Sequence, residues 1–124
     1  MKNEICYIIT GQRRGRLWYG RLQRRQVGQP ASVEFDWNWV IDREEHRGDV
    51  LGFFHTHPTG LAKPSRRDIK TMQGWVSCLG KPLLCLIDSQ TALAAYIFQS
   101  DEDEGAPLAE VQRFPRNVII GADA

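Results

Sequence analysis

The chain has 124 residues, with 16 Lys and Arg against 15 Asp and Glu for a net charge of +1. That length suits one domain, and 42% hydrophobic with 25% charged residues excludes a disordered, coiled-coil or collagen-like protein. The charge balance also weighs against a wholesale nucleic-acid binder, which is normally more basic.

At the N-terminus, MKNEICYIITGQRR has one Lys before Glu4, and its apolar run Ile5–Ile9 is too short for a secretory leader. No window approaches the ~18 apolar residues a membrane span needs, and a cytoplasmic location is expected. Cys6, Cys78 and Cys85 are odd in number and form no CxxC pair. All three sit in apolar stretches, which predicts reduced, buried side chains rather than a disulfide framework or a thiol nucleophile.

The run from Glu4 to Gly11, the turn GQRRGR and the returning LWYGRL predict a β-hairpin over residues 4–25. QVGQPA reads as a loop. In VEFDWNWVI, Phe35, Trp37, Trp39 and Ile41 alternate with Asp36, Asn38 and Val40, a period-2 pattern that predicts a half-buried strand. DREEH then reads as a short polar connection ending at Gly48. VLGFFHTH, Val50–His57, is a strand of the buried type, stopped by Pro58 and a loop through Pro64.

Ser65 opens a helix in which Ile69, Met72, Val76 and Leu79 recur at helical spacing, with Gly80 and Pro82 ending it. Leu83–Ile87 and Ala92–Phe98 flank DSQT as a second hairpin. SDEDEG reads as a solvated acidic loop, PLAEVQRF as a short segment, and Val118–Ile120 as a last strand. Strands around one good central helix predict a single α/β (α+β) domain over residues 1–124, built on a mixed sheet.

One stretch carries chemistry: His55-Thr-His57-Pro-Thr-Gly-Leu-Ala-Lys-Pro-Ser65-Arg-Arg-Asp68. Side chains repeat every second residue along a strand, so His55 and His57 share a face and can chelate one ion. Asp68, in the first turn of the next helix, could complete a set of two histidines and one aspartate. That would leave a fourth tetrahedral position for water, as in a catalytic zinc site. Simpler readings stand beside this. Ser65 and Asp68 also make a near capping box, and the two histidines could be half-buried residues of an edge strand. The joint occurrence of all three ligand types favours the metal site.

The pattern H-x-H-x7-S-x2-D, matched at every defined position by residues 55–68, resembles the signature of the JAMM (MPN+, JAB) zinc metallopeptidases. That family also carries an upstream glutamate in a pattern like E-x-x-x-x-L-x-G, which Glu4–Gly11 resembles with Ile9 in the Leu place. The likeness spans roughly residues 4–98. It implies a JAB/MPN-like mixed sheet and one Zn2+ per chain held by His55, His57 and Asp68. It further implies Glu4 as general base and then acid, and Ser65 as donor to the oxyanion of amide hydrolysis.

The implied substrate is the C-terminal tail of a ubiquitin-like protein or its conjugate, as in deubiquitinase-like isopeptidases. Operon-encoded activating and conjugating enzymes of an antiviral defense system are the implied partners. Alternatives within the resemblance are a peptidase for a sulfur-carrier-type adduct, a RadC-like protein, whose HxHPSGxxxPSxxD the loop echoes, and a non-enzymatic MPN scaffold.

The chain departs from the family in beginning three residues ahead of Glu4, where relatives usually have a helix. Glu34, Glu44 and Glu45 are reserve acids, the last two expected on a solvated face. Arg13, Arg14, Arg16, Arg21, Arg24 and Arg25 crowd the first hairpin, as a solvated surface or a dock for an acidic partner. Trp37 and Trp39 read as core or interface, and His46 as a surface residue beside Glu44 and Glu45.

Overall fold

A computed structural model of the chain describes residues 4–28, 35–58 and 60–121. Glu34 and part of the expected 26–31 loop fall outside the described residues. The elements in chain order are β1 (Ile5–Arg14), β2 (Leu17–Val27), α1 (Trp37–Arg47), β3 (Val50–His57), α2 (Arg66–Leu79), β4 (Leu83–Ser89), β5 (Leu93–Phe98), β6 (Ala106–Pro107), β7 (Glu110–Arg113) and β8 (Asn117–Gly121). They form a mixed α/β domain with one 8-stranded sheet in the order β6-β5-β4-β3-β1-β2-β8-β7.

The first hairpin forms as expected, turning at Gly15 with Arg14 opposite Leu17. β2 runs on to Val27, past the predicted loop start, because Cys6 and Ile5 of β1 pair with Gln26 and Val27. β3 and β4 are a parallel pair. A parallel pair needs a crossover, and α2 supplies it.

The two faces of the sheet bury different sets. Ile8, Phe53, Leu83, Cys85 and Phe98 lie under the helices, against Val40 of α1 and Met72, Trp75 and Val76 of α2. On the other face Ile9, Trp18, Phe54, Leu84, Leu86 and Ile120 pack on one another as the sheet curls. β6 and β7 end the strand order on opposite sides, yet only Leu108 and Ala109 separate them in the chain. The Leu108 amide donates to the Ala95 carbonyl at 2.9 Å, and Arg113 pairs with Asp88 at 3.0 Å, so the curl brings both margins together.

α1 corrects the sequence reading: 37–41 is helical, not a strand. Asp36 is the N-cap, its carboxylate accepting the Trp39 amide at 3.1 Å. Gly48, at φ 61°, ends the helix with its amide on the Glu44 carbonyl. Val40, placed by the alternation on the polar side, is the fully buried residue, while Trp37 and Ile41 are exposed. The aromatic alternation mimicked a strand, and an Asx cap followed by a left-handed glycine overrode it. The expected polar connection DREEH is the second half of the same helix.

α2 follows its prediction, with Ser65 at the N-cap and Gly80 at the C-cap. Gly52, in the middle of β3, permits the close β3–β4 approach, because a Cβ there would overlap the Leu84 carbonyl oxygen. Cys6 and Cys85 are buried as expected, but Cys78 is exposed. It falls on the outer side of α2, away from the face that Met72, Trp75 and Val76 bury. The acidic loop is more ordered than its composition implied. Its Asp103 accepts the Gln99 and Gly105 amides, and its carbonyl receives Gln73 of α2.

Candidate metal centre

Strand period and helix cap together build this site. His55 and His57 leave β3 on the helix side at its carboxyl end, and His55 is only 5% exposed. The described residues 60–64 lead back to α2, and Asp68 enters from its first turn. The His55 and His57 Nε2 atoms lie 2.9 Å apart. Asp68 Oδ2 stands 3.2 Å from His57 Nε2 and 3.3 Å from His55 Nε2. Among the described residues this is the group of three or more His, Cys, Asp or Glu able to hold a metal ion.

The triangle has the dimensions of a coordination face. Donors about 2.0–2.1 Å from a tetrahedral Zn2+ sit roughly 3.3 Å from one another, close to the spacing of these three atoms. The donor chemistry agrees, since two imidazoles and a carboxylate suit zinc and leave one position for a water. His57 Nδ1 lies 2.9 Å from the Leu61 carbonyl oxygen. That oxygen can only accept, so Nδ1 carries the proton and Nε2 turns its lone pair toward the triangle. The residues fit the ion.

The capping box is present as well. The Ser65 amide donates to Asp68 Oδ2 at 2.8 Å, and the Asp68 amide donates to Ser65 Oγ at 3.1 Å. Capping and ligation are therefore not rival readings: the box holds the carboxylate where the histidines converge. Ser65 Oγ accepts within the box, which leaves its O–H free to donate elsewhere.

Burial works against the Asp68 charge, but the His55 and His57 side chains and the Ser65 amide outweigh it and hold the carboxyl well below the usual range. His57 is raised, chiefly because its protonated ring also donates from Nε2 to the Asp68 carboxylate. Glu4 is raised as well, first by burial. It is not a frayed end. Its carbonyl accepts the Gly28 amide at 2.9 Å, and the next amide, of Ile5, donates to Thr56 Oγ1 at 2.9 Å. Glu4, His55 and Asp68 open onto one cleft of about 270 Å3.

Of the reserve acids, Glu44 and Glu45 lie elsewhere. Glu44 is not merely solvated, as expected: it pairs with Lys81 at 2.7 Å and accepts the Val50 amide at 3.3 Å, bracing α1 against β3. Glu45 is exposed. His46 pairs with Asp42, one turn back on α1, rather than with its neighbouring glutamates. Cys85 borders the cleft, yet burial raises its thiol far above neutrality, and burial pushes Cys6 up to about 12. Neither is a thiolate nucleophile.

Sequence reasoning missed Tyr96, whose hydroxyl donates to the Ala62 carbonyl at 2.7 Å and pins the 58–64 loop from β5. It also missed the aromatic wall that Phe35 and Trp37 give the cleft. Among the described residues no helix is long and apolar enough to cross a membrane.

No curated protein matches the chain in sequence. The profile of the prokaryotic homologs of the JAB domain matches residues 1–109, a span that contains Glu4, the two histidines, Ser65 and Asp68. That span folds into β1 to β6 with both helices, and so holds the parallel pair crossed by α2, the two histidines at the end of β3 and Asp68 in the first turn of α2. The chain belongs to the prokaryotic homologs of the JAB domain.

Proposed function

We propose that the protein is a zinc-dependent peptidase that hydrolyses the amide or isopeptide bond after the C-terminal tail of a ubiquitin-like protein. The observation that carries this reading is the convergence of His55, His57 and Asp68 at one corner of a cleft that Glu4 also lines. Zn2+ held by those three residues supplies a water with its pKa lowered to roughly 7 and an electrophile for the scissile carbonyl. Glu4 takes the water's proton and hands it to the leaving amine, and burial, which raises its carboxyl, favours a group that can hold that proton between the two steps. The free Ser65 O–H donates to the oxyanion as it develops, already oriented by the cap bond from the Asp68 amide. Membership of the JAB family supports hydrolysis, and the complete donor set favours it over a scaffold role.

The test is incubation of zinc-loaded protein with a ubiquitin-like protein extended at its C-terminus. Release of the free tail is expected, and both chelation and Glu4→Ala should abolish it. Release that survives either treatment overturns the reading.

A further inference from the structure

The cleft beside the triad is not a bare notch for a backbone. Its floor includes Phe53 and Met72, both buried, and Trp37 forms a wall. Trp37 is 45% exposed, yet it lies stacked on the buried Trp75, so its indole is a fixed platform facing open space. Apolar surface held open in this way is satisfied by an apolar side chain from a ligand.

The α2 rim carries the second signal. Arg67 borders the cleft; it makes no hydrogen bond or close ion pair with the described residues, but its charge is felt by Glu4 in the same cleft. It stands in the first turn of α2, where a positive charge opposes the helix dipole. A cation placed against a local rule and only distantly balanced by Glu4 keeps its hydrogen-bond donors open, and the guanidinium fork matches a carboxylate.

The side of the bond follows from Glu4. It lines the same cleft, and in the hydrolase reading it delivers the proton to the leaving amine. On that reading we assign the residue seated in the cleft to the leaving side. We propose that the cleft is a selectivity subsite for the amine-side residue of the cleaved bond, taking its bulky apolar side chain while Arg67 pairs a carboxylate that this residue or its neighbour carries. This rests on the hydrolase reading for its direction, but the binding it requires can be measured without hydrolysis.

The probes are the peptides Gly-Gly-Phe as free acid, Gly-Gly-Phe-amide, Gly-Gly-Phe-Asp-amide and Gly-Gly-Gly. Each is titrated into metal-free and zinc-loaded protein while tryptophan emission is followed, with Trp37→Phe as the blank. Gly-Gly-Phe should bind at least about tenfold tighter than Gly-Gly-Gly, and amidation should cost a further several-fold. Recovery by the Asp-containing amide assigns the carboxylate to a side chain; no recovery assigns it to the chain terminus. Arg67→Glu should erase the preference for the acid, and Thr71→Trp, on the same rim, should exclude the phenyl group while leaving Gly-Gly-Gly unaffected. Equal binding of the Phe and Gly peptides, or an acid-to-amide ratio unmoved by Arg67→Glu, overturns the proposal even if the ubiquitin-like fusion is cleaved. Selective binding with no cleavage of any fusion by zinc-loaded protein upholds the subsite and counts against the hydrolase reading alone.

Discussion

The Tyr96 hydroxyl donates to the Ala62 carbonyl across 2.7 Å, joining β5 to the loop that separates His57 from Ser65. The adjacent Leu61 carbonyl faces His57 Nδ1 at 2.9 Å, so two consecutive carbonyls of one loop are held, one by a strand and one by a ligand. Tyr96→Phe removes a bond worth about 1 kcal/mol and frees the loop that orients His57. Zinc affinity, read by competition with a chromogenic chelator, should fall about tenfold or more, as for outer partners of metal ligands. Far-ultraviolet circular dichroism should be unchanged. Unaltered affinity would mean the tie is irrelevant to the site.

Ser65 caps the helix and, in the proposed reaction, donates to the oxyanion; two substitutions separate the roles. Ser65→Ala loses the cap and should cost about 1 kcal/mol of stability, whereas Ser65→Gly should cost only a few tenths. Both lack the hydroxyl, so both should lower kcat by about 10²–10³. Thermal melts alongside turnover of a tail fusion would show whether activity tracks the hydroxyl or the helix.

Zinc should stabilise the fold through mass action, by roughly 2.7 kcal/mol at a free concentration a hundred times Kd. His57→Ala leaves two donors, and the zinc-dependent rise in melting temperature should vanish. A full rise in that variant would place the ion elsewhere.

The Arg43–Asp49 pair, bonded twice at 2.8 Å, sets a pH dependence. The Arg43 guanidinium holds the Asp49 carboxyl below its ordinary value. A carboxyl depressed in the folded state stabilises above its unfolded pKa of about 3.9 and loses that contribution as pH falls through the folded value. Asp49→Asn should therefore be less stable than the parent by roughly 0.5–1 kcal/mol at pH 6–7, with the gap closing toward pH 3. Urea titrations at both pH values measure it.

The candidate metal cluster was legible because each step from sequence to space was short. Strand period aligned His55 with His57, and a cap signature fixed where the helix carrying Asp68 began. Glu4 was legible through its pattern with Gly11, where a Cβ would overlap the Tyr19 carbonyl oxygen. α1 was misread because Phe35, Trp37, Trp39 and Ile41 alternate like a strand, and the deciding Asp36 cap is a single side-chain bond. Tyr96 had no local signal at all, as its partner is a backbone carbonyl in a distant loop. The cleft depends in the same way on Trp37 meeting Trp75 across two helices.

Most open sheets can lose a marginal strand without disturbing the rest. Here the two marginal strands, β6 and β7, follow one another in the chain with Leu108 and Ala109 between them. Peeling either one away drags on the other, so strain entering at one border is felt at both. The sheet should then melt as a single cooperative unit, with amide exchange of β5 and β8 slowing and quickening together. A few residues inserted between Leu108 and Ala109, harmless in an ordinary surface loop, would loosen that coupling and leave the borders held by the Arg113–Asp88 pair and the Leu108–Ala95 bond.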